Sequence, residues 1–185
     1  MTSKAPVVIV DYDPAWPVAF AALARVLSQA FGELALSIEH VGSTAVPGLA
    51  AKPVIDLDVV ISAEERLPAV DAALMPLGYE YEGEKDIPGR HAFDRRGEDV
   101  PRDGSRLTWP AHHLYVCARG CTELRRHLAF RDYLRSLTKC APHKAANTGI
   151  MQIARSIFLT KFSGGVKGSD LKMKVPIPNK SKYRT

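Results

Sequence analysis

Long hydrophobic runs are absent from this chain of 185 residues. No apolar stretch approaches the roughly 20 residues that a membrane-spanning helix needs, so we expect no membrane partner. The first six residues also lack the basic and then apolar pattern of a secretory signal peptide. Hydrophobic residues make up 46% of the chain, enough for one domain with a buried core. Together these features predict a globular, cytoplasmic protein.

Cysteine is scarce, and Cys117, Cys121 and Cys140 include no C-x-x-C pair. An odd number without that spacing is typical of reduced thiols rather than of a disulfide framework. One alternative is a zinc site that combines Cys117 and Cys121 with His112 and His113, because thiolates and imidazoles are the usual zinc ligands.

Acidic residues are rare in the last segment, residues 164–185. It holds six Lys or Arg and one Asp, so it accounts for the whole formal net charge of +5. Its Gly, Ser, Pro and Lys content predicts a disordered tail that follows a folded domain of residues 1–163. The tail either touches nucleic acid or acidic partners or is a solubilising extension. Elsewhere no basic patch interleaved with aromatics indicates nucleic-acid binding.

The run Pro-Val-Ile-Asp-Leu-Asp-Val-Val-Ile at residues 53–61 predicts a strand buried on both faces. Side chains alternate along a strand, so Asp56 and Asp58 point to the same face. Two buried carboxylates side by side repel each other, and a divalent cation is the usual remedy. We therefore predict Asp56 and Asp58 as ligands of Mg²⁺. The alternative is that both lie solvated at a frayed strand end.

A glycine–serine turn precedes this strand. Residues 36–41 alternate between apolar and polar, which predicts a half-buried strand, and Gly42, Ser43 and Thr44 follow it. A Ser or Thr that caps a short helix beside a glycine leaves backbone N–H groups free for phosphate. Lys52, between the turn and the aspartates, is either a further phosphate contact or a solvated loop lysine.

Residues 39–44 (Glu-His-Val-Gly-Ser-Thr) and 46–56 (Val-Pro-Gly-Leu-Ala-Ala-Lys-Pro-Val-Ile-Asp) resemble the hallmark segment of the GrpB family, which is placed in the nucleotidyltransferase superfamily. The resemblance runs over residues 8–138, with further matching segments at 77–81, 89–93, 113–116 and 127–135. It implies an α+β fold with a nucleotidyltransferase-like mixed β-sheet flanked by helices.

The resemblance also implies a function: transfer of a nucleoside monophosphate from a nucleoside triphosphate to an unidentified acceptor. Gly42 and Ser43 would then hold the triphosphate, while Asp56 and Asp58 hold Mg²⁺. The alternative function is a nucleotide- or phosphate-binding module that kept the scaffold without transferring anything. Neither the nucleobase nor the oligomeric state follows from the sequence.

The chain departs from the superfamily pattern at a third carboxylate, which ordinarily comes from a later strand. The strand predicted at that place reads His-His-Leu-Tyr-Val over residues 112–116. His113 is our candidate general base, because imidazoles titrate near neutrality. A hydrogen-bonded structural histidine is the alternative. Asp94, on the preceding predicted strand, is an alternative oxygen ligand.

The sequence also suggests roles for four more residues. Arg90, beside a glycine, either binds phosphate through its planar fork or lies on the surface. His40 either orders the glycine–serine turn or faces the site. Arg131 forms an internal ion pair or lies on a solvated face, with a substrate contact as the alternative. Trp16 is predicted to be a packing anchor.

The remaining pattern predicts further helices and strands. Asp13 caps a helix that starts at Pro14 and stops at Gly32. Ser62 caps the next helix. The predicted helices are 14–31, 63–75, 122–137 and 144–162, the predicted strands are 7–12, 77–82, 91–95 and 112–117, and a polar loop covers 96–106.

Overall fold

The structure, a computed structural model, describes residues 8–105 and 108–140. Within these residues one sheet is formed by β1 (Ala35–Val41), β2 (Ile55–Ile61), β3 (Tyr79–Tyr81), β4 (Arg90–Arg95) and β5 (His112–Ala118). Its α-helices are α1 (Ala15–Phe31), α2 (Leu67–Leu74) and α3 (Thr122–Cys140). The predicted mixed sheet flanked by helices is confirmed. No helix in the described part has the length and apolar character that crossing a bilayer requires.

The order of strands across the sheet is β1-β2-β5-β4-β3. Strands β2 and β5 are parallel, and the other neighbouring pairs are antiparallel. In this register Asp56 lies opposite His113, and Asp58 lies opposite Tyr115. Paired residues of neighbouring strands point to the same face, so all four belong to one side of the sheet.

The opposite face carries the main hydrophobic core. Alternate residues of β2, namely Ile55, Leu57, Val59 and Ile61, pack there against α1 and α2. Trp16 is buried and packs edge-on against Tyr12, as predicted for an anchor. Both faces of β2 are therefore covered, which confirms the prediction of a strand buried on both sides.

Helix α3 lies over the face that carries the aspartates. Its Leu134 packs against Val46 and Leu49 in the segment that follows β1. Near its start, Leu124 packs against Val60 and Cys117. These two small apolar clusters fix both ends of the helix on the sheet, so the middle of α3 is held close to the aspartates.

Several predicted boundaries differ from the structure. Ser62 does not cap a helix, because residues 64–66 form a 3₁₀ turn and α2 begins at Leu67. Pro68 lies in its first turn, where a residue without an N–H is favoured. Asp13 does accept the Ala15 N–H, at 2.8 Å, although Pro14 precedes the first helical residue.

The predicted strand over residues 7–12 is wrong, because its described part forms only an isolated bridge between Val10 and Ala51. One bridge leaves the other backbone groups of the segment without a ladder. The predicted helix 144–162 and tail 164–185 lie outside the described residues.

Candidate functional site

The two aspartates of β2 share one face of the sheet but differ in exposure. The Asp58 side chain is completely buried, whereas the Asp56 side chain is 28% exposed. His113, on the neighbouring parallel strand, donates its Nδ1–H to Oδ1 of Asp56 at 2.8 Å. His113 is itself half exposed. Asp56 and His113 thus form a hydrogen-bonded pair that is partly open to solvent. The alternative, in which both aspartates lie solvated at a frayed strand end, is wrong, because Asp58 is completely buried.

The glycine–serine turn touches this pair directly. Gly42 has a φ of +71°, in the left-handed region, and a Cβ built there would overlap Oδ2 of Asp56. Only a residue without a side chain fits a backbone that passes so close to the carboxylate. Ser43 follows and is exposed. Turn and carboxylate therefore form a single site.

Thr44 and His40 hold the turn from beneath. The Thr44 hydroxyl donates to the Val54 carbonyl at 3.0 Å, so it accepts from Nε2 of His40, 3.1 Å away. His40 stacks on Phe20, and burial lowers the pKa of His40 to about 4. His40 thus orders the turn rather than facing the site. The buried Thr44 hydroxyl is used internally, which leaves only its backbone for the predicted nucleotide contact.

The second aspartate is bonded to α3. Nδ1 of His127 donates to Oδ2 of Asp58 at 2.6 Å, and Nε2 of His127 lies 3.2 Å from Oε1 of Glu123. Burial acts to lower the pKa of His127, but the hydrogen bonds to Asp58 and Glu123 outweigh it and raise that pKa to about 9. The hydrogen bond from His127 also lowers the pKa of Glu123. An imidazolium is therefore held between two carboxylates.

Sequence reasoning missed His127 and Glu123. Their i, i+4 spacing places both on one face of a helix and was the available signal. What the sequence did not contain was the side of the sheet on which that helix packs.

The carboxylate pair fits Mg²⁺ held by two protein oxygens and substrate phosphates, the usual arrangement for this ion. Oδ1 of Asp58 is buried and has no hydrogen-bond partner within the described residues, so an acceptor is left over for a cation. Among those residues no cluster of three or more Asp, Glu, His or Cys is arranged for a metal. Asp94 does not complete one, because its carboxylate pairs with Arg96 at 3.7 Å.

The alternative zinc site is wrong. His112 and His113 are adjacent on β5, so their side chains point to opposite faces. On the core face, Nδ1 of His112 donates to the Pro110 carbonyl at 2.8 Å, and Nε2 accepts from the Tyr79 hydroxyl at 2.7 Å. These four candidate ligands therefore cannot converge on one ion.

The two predicted phosphate-binding cations occupy different places. The Arg90 guanidinium stacks on Tyr115, 4.4 Å from the ring centroid, on the face that carries the aspartates. Its Nε is buried and has no hydrogen-bond partner in the described part of the chain. Lys52 is exposed on the loop that leads into β2. Arg90 thus lies at the border of the site, and Lys52 remains a loop residue whose role is a prediction.

Arg131 makes the internal ion pair that the sequence suggested. Its Nη1 donates to Oε2 of Glu39 at 2.9 Å and to the His40 carbonyl at 3.2 Å. Its Nε donates to Oδ1 of Asp132 at 2.8 Å. The side chain is only 12% exposed, so the solvated interpretation does not apply.

The described residues have a nucleotidyltransferase-like fold. A mutant of Cid1 poly(U) polymerase has the same fold, with a TM-score of 0.50 and 12% identity over 71% of this chain and 39% of that one. Conserved protein GrpB from Enterococcus faecalis is more similar. Its TM-score is 0.58 and its identity 30%, with 85% of this chain and 100% of that chain covered.

The chain belongs to the GrpB family, whose model, described as GrpB protein, matches residues 6–143. UPF0157 protein YqkA of Bacillus subtilis is 33% identical over 133 residues, which cover 72% of this chain and 36% of that protein. UPF0157 protein BH1888 of Halalkalibacterium halodurans is 36% identical over 136 residues, with coverages of 72% and 63%. The chain thus matches less than two thirds of the length of either relative.

Proposed function

We propose that this protein binds a nucleoside triphosphate with Mg²⁺ and transfers its nucleoside monophosphate to a hydroxyl group of an acceptor. The observation that carries the proposal is the contact of Gly42 with the Asp56 carboxylate. It joins a turn suited to phosphate with a carboxylate pair suited to Mg²⁺. The Cid1 poly(U) polymerase mutant that shares the fold is bound to MgATP, which supports the same class of ligand here.

Different residues of the site would bind Mg²⁺ and the triphosphate. Asp56 and Asp58 would hold Mg²⁺, which neutralises charge on the phosphate oxygens when it is bound. The backbone of Gly42 and the exposed Ser43 would hold the triphosphate. Arg90, whose Nε has no partner in the described residues, would contact an anionic group at the edge of the site.

His113 is suited to act as the general base. Because its Nδ1–H donates to Asp56, its Nε2 carries the lone pair. That nitrogen would take the proton of the acceptor hydroxyl while the hydroxyl oxygen attacks the α-phosphorus. The bond from the α-phosphorus to the bridging oxygen breaks, and pyrophosphate leaves. Atoms and charge balance without any redox partner.

A second candidate is a module that binds a nucleotide without transferring it. The absence of a third carboxylate beside Asp56 and Asp58 in the described residues favours it. So does the engagement of Asp58 with His127, which leaves fewer oxygens for cations. The two functions share the ligand and differ only in chemistry.

Titration calorimetry with a nucleoside triphosphate, with and without Mg²⁺, tests binding, and release of pyrophosphate tests transfer. We expect Asp56→Asn to weaken Mg²⁺-dependent binding at least tenfold, since one of two charged ligands is lost. The matched control is Asp71→Asn, on α2, which packs on the opposite face of the sheet. We expect His113→Gln to keep binding but slow transfer by about 10²–10⁴.

Three outcomes separate the candidates. No binding by the unmodified protein to any of the four common nucleoside triphosphates would contradict both. Binding without pyrophosphate release in the presence of acceptor candidates would favour the module. Release that is unaffected by His113→Gln would remove His113 from the mechanism.

A further inference from the structure

We infer that Arg131 and Arg135 are positioning residues, which hold the glycine–serine turn at a fixed place beside the aspartates. This inference rests on the proposed function, because it concerns how the triphosphate is presented to the carboxylates. Neither arginine would touch the nucleotide. Both act through the backbone of the turn.

Each of the two arginines donates a hydrogen bond to a backbone carbonyl at one end of the turn. Nη1 of Arg131 donates to the carbonyl of His40, two residues before Gly42. Nε of Arg135 donates to the carbonyl of Ala45, the last residue of the 3₁₀ turn, at 2.9 Å. A guanidinium hydrogen bond to a carbonyl is charge-assisted and stronger than a neutral one. The residues between these two carbonyls are therefore tied to α3.

The placement of these cations is costly, and the surroundings offset the cost. Burial and then the nearby Arg131 lower the pKa of Arg135, so the two guanidiniums are close enough to repel each other. Glu39 and Asp132 lie beside them and supply the compensating negative charge. Charges at a protein surface contribute little to stability, so surface charge alone does not explain why two cations lie this close. Their hydrogen bonds to the turn do explain it.

These two hydrogen bonds fix the position of the turn relative to Asp56. Gly42 lies between the His40 and Ala45 carbonyls and contacts Oδ2 of Asp56. A shift of the turn would move its N–H groups away from the carboxylates, and a misplacement of about 1 Å is enough to impair catalysis severely. Leu134, one residue before Arg135, packs on Val46 at the same joint.

The test compares Arg131→Gln and Arg135→Gln with Arg125→Gln. Arg125 is exposed on the same helix, and its side chain is 3.5 Å from the Thr122 hydroxyl. Three quantities are measured: hydrogen exchange of residues 42–49, affinity for tripolyphosphate with Mg²⁺, and affinity for Mn²⁺ alone. For the first two variants we expect faster exchange, about tenfold weaker tripolyphosphate binding and unchanged Mn²⁺ binding. Arg125→Gln should change none of them.

Rescue by lysine separates positioning from general destabilisation. Arg135 makes one bond to a carbonyl, so Arg135→Lys should restore most of the tripolyphosphate affinity. Arg131 bonds Glu39, His40 and Asp132 through two nitrogens, so Arg131→Lys should restore less.

The outcomes are distinct. Exchange of residues 42–49 equal to that of Arg125→Gln would overturn the inference, whatever the unmodified protein binds. Equal losses of Mn²⁺ and tripolyphosphate binding would also overturn it, because they indicate a general loss of structure. Failure of the unmodified protein to bind tripolyphosphate or a nucleoside triphosphate would overturn the proposed function, and the inference with it.

Discussion

At the scale of single residues, each of the two aspartates of β2 is hydrogen-bonded to a different histidine. His127 is partly buried between Asp58 and Glu123, and its pKa of about 9 keeps it cationic at neutral pH. His113 is half exposed, and its Nδ1 is bonded to Asp56. Two similar pairs thus differ in accessibility. The less accessible pair provides fixed charge, and the open pair is the one that we propose to transfer a proton.

Substitution of Gly42 tests the closest contact of the site. Gly42→Ala adds a Cβ that overlaps Oδ2 of Asp56 at a positive φ, so we expect a loss of about 1–3 kcal/mol of stability. Mg²⁺-dependent nucleotide binding should also fall at least tenfold. Chemical denaturation and calorimetry measure the two effects.

Gly48→Ala is the matched control. Gly48 has a φ of +78°, yet a Cβ built there meets nothing within 4 Å. It should therefore show the backbone strain without the clash. Equal effects of the two substitutions on binding would contradict the role assigned to the contact with Asp56.

The local part of the site was predictable from sequence, and the long-range part was not. Asp56 and Asp58 stand two residues apart on an apolar strand, and that spacing alone places them on one face. The link from Asp58 to His127 spans 69 residues. It depends on how α3 crosses the sheet, which no local pattern encodes.

At the scale of elements, α3 connects the parts of the site. One end packs on Val60 and Cys117 of the sheet, and the other packs on Val46 and Leu49. Between these ends it supplies His127 and the arginine bonds to the turn. The sequence predicted a helix here and most of its length, because its propensities are local. Ser62 misled the prediction for α2, because Pro68 determines where that helix begins.

Truncation of Leu134 tests this connection. Leu134 is 1% exposed, so Leu134→Ala should cost about 2–5 kcal/mol through lost contacts and a cavity. Because the cavity lies beneath the turn, nucleotide affinity should fall in the molecules that remain folded. Urea denaturation gives the stability, and calorimetry below the transition gives the affinity. Arg125→Ala, on the exposed face of α3, should change both by less than 0.5 kcal/mol or so. A change of that small size in Leu134→Ala would contradict the role of the cluster.

At the scale of the whole molecule, three histidines link stability to pH, and they act in opposite directions. Burial lowers the pKa of His40 and of His112 to about 4. Between about pH 4 and 6.5 the unfolded chain therefore binds more protons at these two residues, so they make stability rise with pH. His127 has a raised pKa, so its contribution is fully present below about pH 6.5 and is lost as the pH rises to about 9.

The free energy of unfolding, measured by urea denaturation in a metal chelator from pH 5 to 9.5, tests this linkage. We expect His127→Gln to remove a decline on the order of 3 kcal/mol that the unmodified protein shows between about pH 6.5 and 9. The His113→Gln variant serves as the control and should retain the decline. If His127→Gln and the unmodified protein have parallel profiles above pH 6.5, His127 is not held as a cation in the folded state.

The parallel pairing of β2 with β5 has a consequence for folding kinetics. The Asp56–His113 bond joins residues 57 positions apart, so no short segment assembles the site by itself. Closing so long a loop is slow, because chain entropy must be lost before the contact forms. The favourable free energy of the contact is therefore gained late in folding. The site should therefore appear only with the rate-limiting folding step, and its ligand affinity should recover in step with the last packing of the core.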